Sequence, residues 1–128
     1  MAGLTVLDAS VLLAYFDAGD AHTDAARAIL VEADALAASV LTLAESLVGA
    51  ARAGRLDEQL QALADLEVRP VPIGDDAAPR LARLRQETSL KLPDCCVLDA
   101  AETVGAEAVA TGDGALMKAA RERGYATP

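Results

Sequence analysis

Short apolar runs alternate with longer stretches of helical periodicity along this chain, and that alternation restricts its fold more than any other feature. Leu4-Thr5-Val6-Leu7 stops at Asp8 and reads as a buried strand. A helix is expected over Ala9–Phe16, broken by Asp17, Gly19 and Asp20. Thr23–Ala35 carries Ala26, Ile29, Leu30 and Ala33 at helical spacing and predicts an amphipathic helix. A second strand is expected over Ala37–Leu41, then helices over Thr42–Ala53, closed by Gly54, and Arg55–Leu66. Glu67–Ile73 is strand-like, and Pro70 and Pro72 assign it to a sheet edge. Helices follow over Asp76–Thr88 and from Pro93-Asp94 to Val104, with Gly105 as the stop. Ala106–Thr111 is a fourth strand, Gly112–Arg123 a helix, and Gly124–Thr127 a candidate fifth strand. Strands separated by helices need crossovers. The expected architecture is therefore α/β, with a mostly parallel central sheet of four to five strands and helices on both faces. No stretch is long enough to be an interdomain linker, so residues 1–128 read as one domain.

Composition narrows the function classes. Thirty alanines against two Tyr, one Phe and no Trp predict a core of small side chains on closely packed helices. Too few aromatics are present for a platform that stacks nucleic-acid bases. A net charge of −9 excludes a basic field over the whole surface. No apolar window is long enough to span a membrane. The segment from Met1 to Leu7 lacks the charged start of a signal peptide. Cys95 and Cys96 are adjacent and read as small packing residues in a reducing cytosol, without a disulfide.

Ligands of open parallel sheets bind beyond the carboxyl ends of the strands. Asp8 follows the first strand, Glu45 lies early in the helix after the second, Asp94 opens a helix, and Asp113 follows the fourth strand. Four carboxylates at one edge repel unless a cation neutralises them. All-oxygen donors suit Mg²⁺ or Mn²⁺ rather than Zn²⁺. Each acid also has a plainer reading. Asp8 can cap a helix. Glu45 completes Thr42-Leu43-Ala44-Glu45, a capping box. Asp94 favours a helix dipole, and Asp113 fits a turn. Asp99 lies about 140° around the helix from Asp94 and is expected to be a solvated or interface residue. His22, the only histidine, reads as a surface or capping residue.

The ordered set Val6-Leu7-Asp8-Ala9-Ser10, Thr42-Leu43-Ala44-Glu45, Leu92-Pro93-Asp94 and Ala110-Thr111-Gly112-Asp113 resembles the PIN domains, in particular the VapC-type toxin ribonucleases. The resemblance covers the whole chain and implies the three-layer PIN-like version of the α/β fold. It implies that Asp8, Glu45, Asp94 and Asp113 bind one or two Mg²⁺ or Mn²⁺ ions for phosphodiester hydrolysis. It also places Ser10 and Thr111 as hydroxyls that orient a carboxylate or water. It further implies a cellular RNA substrate, a VapB-type antitoxin as partner, and a homodimer in the cytoplasm. Antitoxin and second copy are expected on the apolar helices over residues 10–36 and 42–66. Asp99 departs from the apolar or small residue common at its position in the family. An RNA-cutting chain of charge −9 needs local cations. Arg52, Arg55, Lys91 and Lys118 are the candidates, unless they are ordinary solvated side chains.

Three other readings compete. A PIN fold kept only for binding shares every motif. A receiver-like signalling domain needs an acidic pair after the first strand, and Asp8-Ala9-Ser10 supplies only one acid. A phosphatase of the haloacid-dehalogenase type fails on the same missing acid.

Overall fold

The computed structural model describes residues 3–128. The reading of the leader region falls partly on residues outside that range. Four strands, β1 (Leu4–Leu7), β2 (Ala35–Ser39), β3 (Val68–Val71) and β4 (Ala108–Ala110), form one sheet. All its pairings are parallel, and the order is β3-β2-β1-β4. Seven helices accompany it among the described residues: α1 (Ala9–Phe16), α2 (Thr23–Glu32), α3 (Val40–Arg52), α4 (Leu56–Asp65), α5 (Ala77–Thr88), α6 (Leu92–Val104) and α7 (Gly114–Glu122).

Strand alternation creates two cores. Val6, Ala37, Val71 and Val109 face one side and pack with Leu84 of α5, Val97, Leu98 and Ala101 of α6, and Leu116 of α7. Their neighbours Leu7, Leu36, Ala38 and Ala110 face the other side. There they meet Val11 and Leu12 of α1, Ala26 and Leu30 of α2, Leu43 and Leu47 of α3, and Leu63 of α4. This is the expected three-layer arrangement. The alanines let helices approach the sheet closely: Ala37, Ala38, Ala101, Ala110 and Ala120 are wholly buried. Leu7, Leu12, Leu98 and Leu116 fill the remaining volume, and truncating any one to Ala costs about 2–5 kcal/mol.

Several boundaries differ from expectation. Helix α2 ends at Glu32, and β2 occupies Ala35–Ser39 rather than Ala37–Leu41. Ser39 ends the strand and caps α3, its hydroxyl accepting a hydrogen bond from Leu41 N–H. The helix therefore starts at Val40, not Thr42. Strand β3 is an edge strand, as its prolines require. The fifth strand is reduced to one parallel bridge, Ala108 with Ala126. Gly105 ends α6 with φ +64°, a conformation that favours glycine.

Candidate active site

The carboxyl ends of β1, β2 and β4 lie side by side, and helices leave them at Asp8, Ser39 and Asp113. Helix α6 packs across β1, β2 and β4 and against α3. Its first turn, which contains Asp94, thereby joins the same edge. Pro93 sits in that turn, where its missing N–H costs nothing.

Asp8 is the anchor. It is 7% exposed and caps α1. One carboxylate oxygen, Oδ1, accepts from Ala9 N–H at 2.8 Å. The other, Oδ2, accepts from the hydroxyls of Ser10 and Thr111, each at 2.8 Å. Those hydroxyls are held in turn, since Ser10 Oγ accepts from Gly112 N–H and Thr111 Oγ1 from Asp113 N–H. The loop after β4 is thus pinned to the start of α1 through a carboxylate. Asp113 caps α7, accepting from Ala115 N–H. Capping does not by itself exclude a site role at Asp8 or Asp113, because each cap bond engages one carboxylate oxygen.

Electrostatics ties the four acids together. Partial burial raises the Glu45 carboxyl above its usual value, and the charges of Asp8 and Asp94 push it further. Burial also raises Asp94, followed by Asp8 and Asp113, with only Lys91 opposing. Every member of the quartet is therefore within electrostatic reach of another, although the four come from segments spread over residues 8–113. The capping-box reading of Glu45 falls away. Ser39 is the N-cap, which puts Glu45 in the second turn of α3, beyond the positions a box links. Thr42 instead buries a hydroxyl without a partner among the described residues, one turn before Glu45.

The donors suit a hard divalent ion: they are carboxylate oxygens, and their repulsion calls for a cation. As placed, no group of three His, Cys, Asp or Glu side chains among the described residues is arranged to hold one. Holding an ion would require these carboxylates to draw closer together.

The other candidates divide. Lys91 acts on Asp94. Arg52 and Arg55 are exposed at the end of α3 and just before α4. Lys118 is exposed and faces Glu122 at 4.0 Å. Cys95 and Cys96 are buried free thiols, as packing residues should be. Asp99 needs correction. It is 5% exposed rather than solvated, and its Oδ1 accepts from Arg80 Nε at 2.8 Å. Arg80 also reaches Asp76 at 3.0 Å. No sequence signal marked Arg80, because its partner lies nineteen positions away on a different helix. His22 occupies the N-cap position of α2, yet its side chain makes no capping hydrogen bond.

Comparison with known proteins identifies the family and the fold. The sequence matches the PIN domain over residues 5–122. No curated protein matches it. The fold is similar to that of a toxin–antitoxin complex from Klebsiella pneumoniae, with a TM-score of 0.71 and 28% identity over 85% of this chain and 86% of that one. It is also similar to Mycobacterium tuberculosis VapC20, a sarcin–ricin loop cleaving toxin. There the TM-score is 0.72 and the identity 19%, over 90% and 94% of the two chains. FitAcB from Neisseria gonorrhoeae superposes with a TM-score of 0.69 at 19% identity, covering 96% and 95%.

Proposed function

This chain belongs to the PIN-domain family, and from that premise we propose that it is a VapC-type toxin: a divalent-metal-dependent endoribonuclease that cuts cellular RNA. The observation that carries the reading is the gathering of Asp8, Glu45, Asp94 and Asp113, four acids from distant segments, at the carboxyl edge of the parallel sheet, where Asp8 and Asp94 raise Glu45 and Asp8 and Asp113 raise Asp94. Structural acids are normally paired or solvated. Acids gathered this closely without a cationic partner for each store repulsion that a bound cation relieves.

These four carboxylates would hold Mg²⁺ or Mn²⁺, which supplies an activated water and neutralises phosphodiester charge when bound. Ser10 and Thr111 keep the Asp8 carboxylate in one orientation through their two O–H donors. In this reading Lys91, which acts on Asp94, would meet a substrate phosphate, with Arg52, Arg55 and Lys118 extending the contact. The Klebsiella pneumoniae structure to which this fold is similar is a toxin–antitoxin complex. On that likeness, a VapB-type antitoxin neutralises this chain. A homodimer and a cytoplasmic setting belong to the same reading. No helix among the described residues is long and apolar enough to cross a membrane.

The test is cleavage of a mixture of structured RNAs by the purified protein with Mg²⁺ or Mn²⁺, then with EDTA, beside an Asp94→Asn preparation. Cutting that needs the ion and disappears in the variant supports the reading. Equal cutting by both preparations, or none by either, rejects it.

A further inference from the structure

A cleft of about 470 Å³ opens between α1 and α2, beside the quartet. Its volume lies in the roughly 300–1,000 Å³ range of small-ligand sites. Ser10, Thr111 and Gly112 form the shared wall: the two residues whose hydroxyls hold Asp8 also line the cleft. Gly112 adds no side chain there, and even a Cβ would come no closer than 3.6 Å to Ser10. The body of the cleft is apolar, with Leu13, Ala25 and Ile29 among its walls, and Leu13 is left 47% exposed. Asp20 and His22 line it as well.

Charge selects the occupant. No Lys or Arg lines the cleft among the described residues, and Asp20 adds a negative charge. A phosphate is unsuited to it. A flat, neutral group with polar edges fits, and one must lie next to any phosphodiester brought to Asp8. His22 is free for such contact, because its ring does no capping. The cleft is the continuation of the acidic site, and its apolar floor with an acceptor and an imidazole matches the face and edge of a nucleobase.

We propose that the α1–α2 cleft is the subsite for the unpaired nucleobase adjoining the scissile phosphate, with Asp20 and His22 reading its edge. The inference rests on the ribonuclease reading above. Asp20 contributes hydrogen-bond acceptors, of which Oδ1 already binds His22 N–H at 2.7 Å. The base selected is thus one that presents an N–H donor to the remaining oxygen.

The experiment compares wild type, Ala25→Trp and His22→Ala on short single-stranded RNAs that vary one nucleotide next to the cleaved bond. Ala25 and His22 are both exposed, so the fold tolerates both changes. Wild type should prefer one base, and both variants should reduce that preference about tenfold while Mg²⁺-dependent cleavage of other sequences persists. Binding of the same RNAs to Asp94→Asn protein, with and without Ala25→Trp, should show a parallel loss without turnover. Unchanged preference in a cleaving Ala25→Trp enzyme overturns the subsite and leaves the ribonuclease reading standing. Unchanged preference with weakened binding of an apolar helical peptide gives the cleft to a protein partner and also overturns it. Absence of cleavage by wild type on every RNA removes the ribonuclease reading, and the subsite with it.

Discussion

Asp94 and Asp99 sit on one helix, five residues apart, and meet opposite surroundings. Asp99 is buried, and the structure gives it a counter-charge in Arg80, itself shared with Asp76. Asp94 is half-buried among other acids. Its carboxyl is raised by burial and by Asp8 and Asp113, with only Lys91 in opposition. Burying a lone charge is costly, and an acid that serves the fold is compensated within the fold. Asp94 has no such buried partner, and on the proposed reading a bound cation takes that place. The contrast also dissects α6: its first turn faces the strand ends, and a later face clamps α5.

The contrast breaks if the two positions respond alike. Asp94→Asn should lower RNA cleavage about a thousandfold or more, since groups that act as a unit fail together. Asp99→Asn should stay within a few-fold of wild type. Parallel initial-rate assays on one RNA separate the two. Next in size, Ser10→Ala removes one of the two O–H donors to Asp8 Oδ2 and should slow cleavage about 10–100-fold while the fold remains. An unchanged rate would show that Thr111 alone fixes the carboxylate.

Stability should show the reverse ranking. Arg80→Ala leaves Asp99 buried without its partner and should lower Tm by roughly 5–10 °C. Asp94→Asn should raise the Tm of the ion-free protein slightly, because it removes repulsion. The smallest effect is the pH dependence of that gain. The carboxyls of Glu45 and Asp94 start from ordinary values of 4.5 and 3.8 and are raised in the folded protein. The folded state therefore holds their protons more tightly than the unfolded state. The stabilising contribution is present at low pH and is lost as pH rises through the raised values. Thermal scans of ion-free wild type and Asp94→Asn should accordingly coincide near the ordinary carboxylate range and separate toward neutrality. A gap that narrows with rising pH would contradict the repulsion.

Much of this is legible in the sequence. Junction acids after β1 and β4 were visible because a strand ending in Asp, followed by a helix, fixes position without long-range knowledge. The two prolines of β3 placed it at an edge by the same local logic. What failed was non-local or patternless. Ala35–Val40 is so rich in small apolar residues that neither period shows, and the boundary fell to the cap at Ser39 rather than to Thr42. Residues 124–127 offered an apolar ending, but only Ala126 meets β4. The ion pair of Asp99 needed the packing of α5 on α6, which no spacing within α6 reveals. His22 looked like a cap and stands in the capping position, yet whether its ring caps is decided by side-chain direction alone.

On the proposed reading, the four carboxylates of Asp8, Glu45, Asp94 and Asp113 make one cation site. Calorimetric titration of the ion-free protein with Mn²⁺ and Mg²⁺, repeated on Asp94→Asn and Asp99→Asn, tests it without any substrate. Saturable binding by wild type and Asp99→Asn, lost or sharply weakened in Asp94→Asn, is the expected result. Absence of binding by wild type, or equal binding by Asp94→Asn, would contradict it.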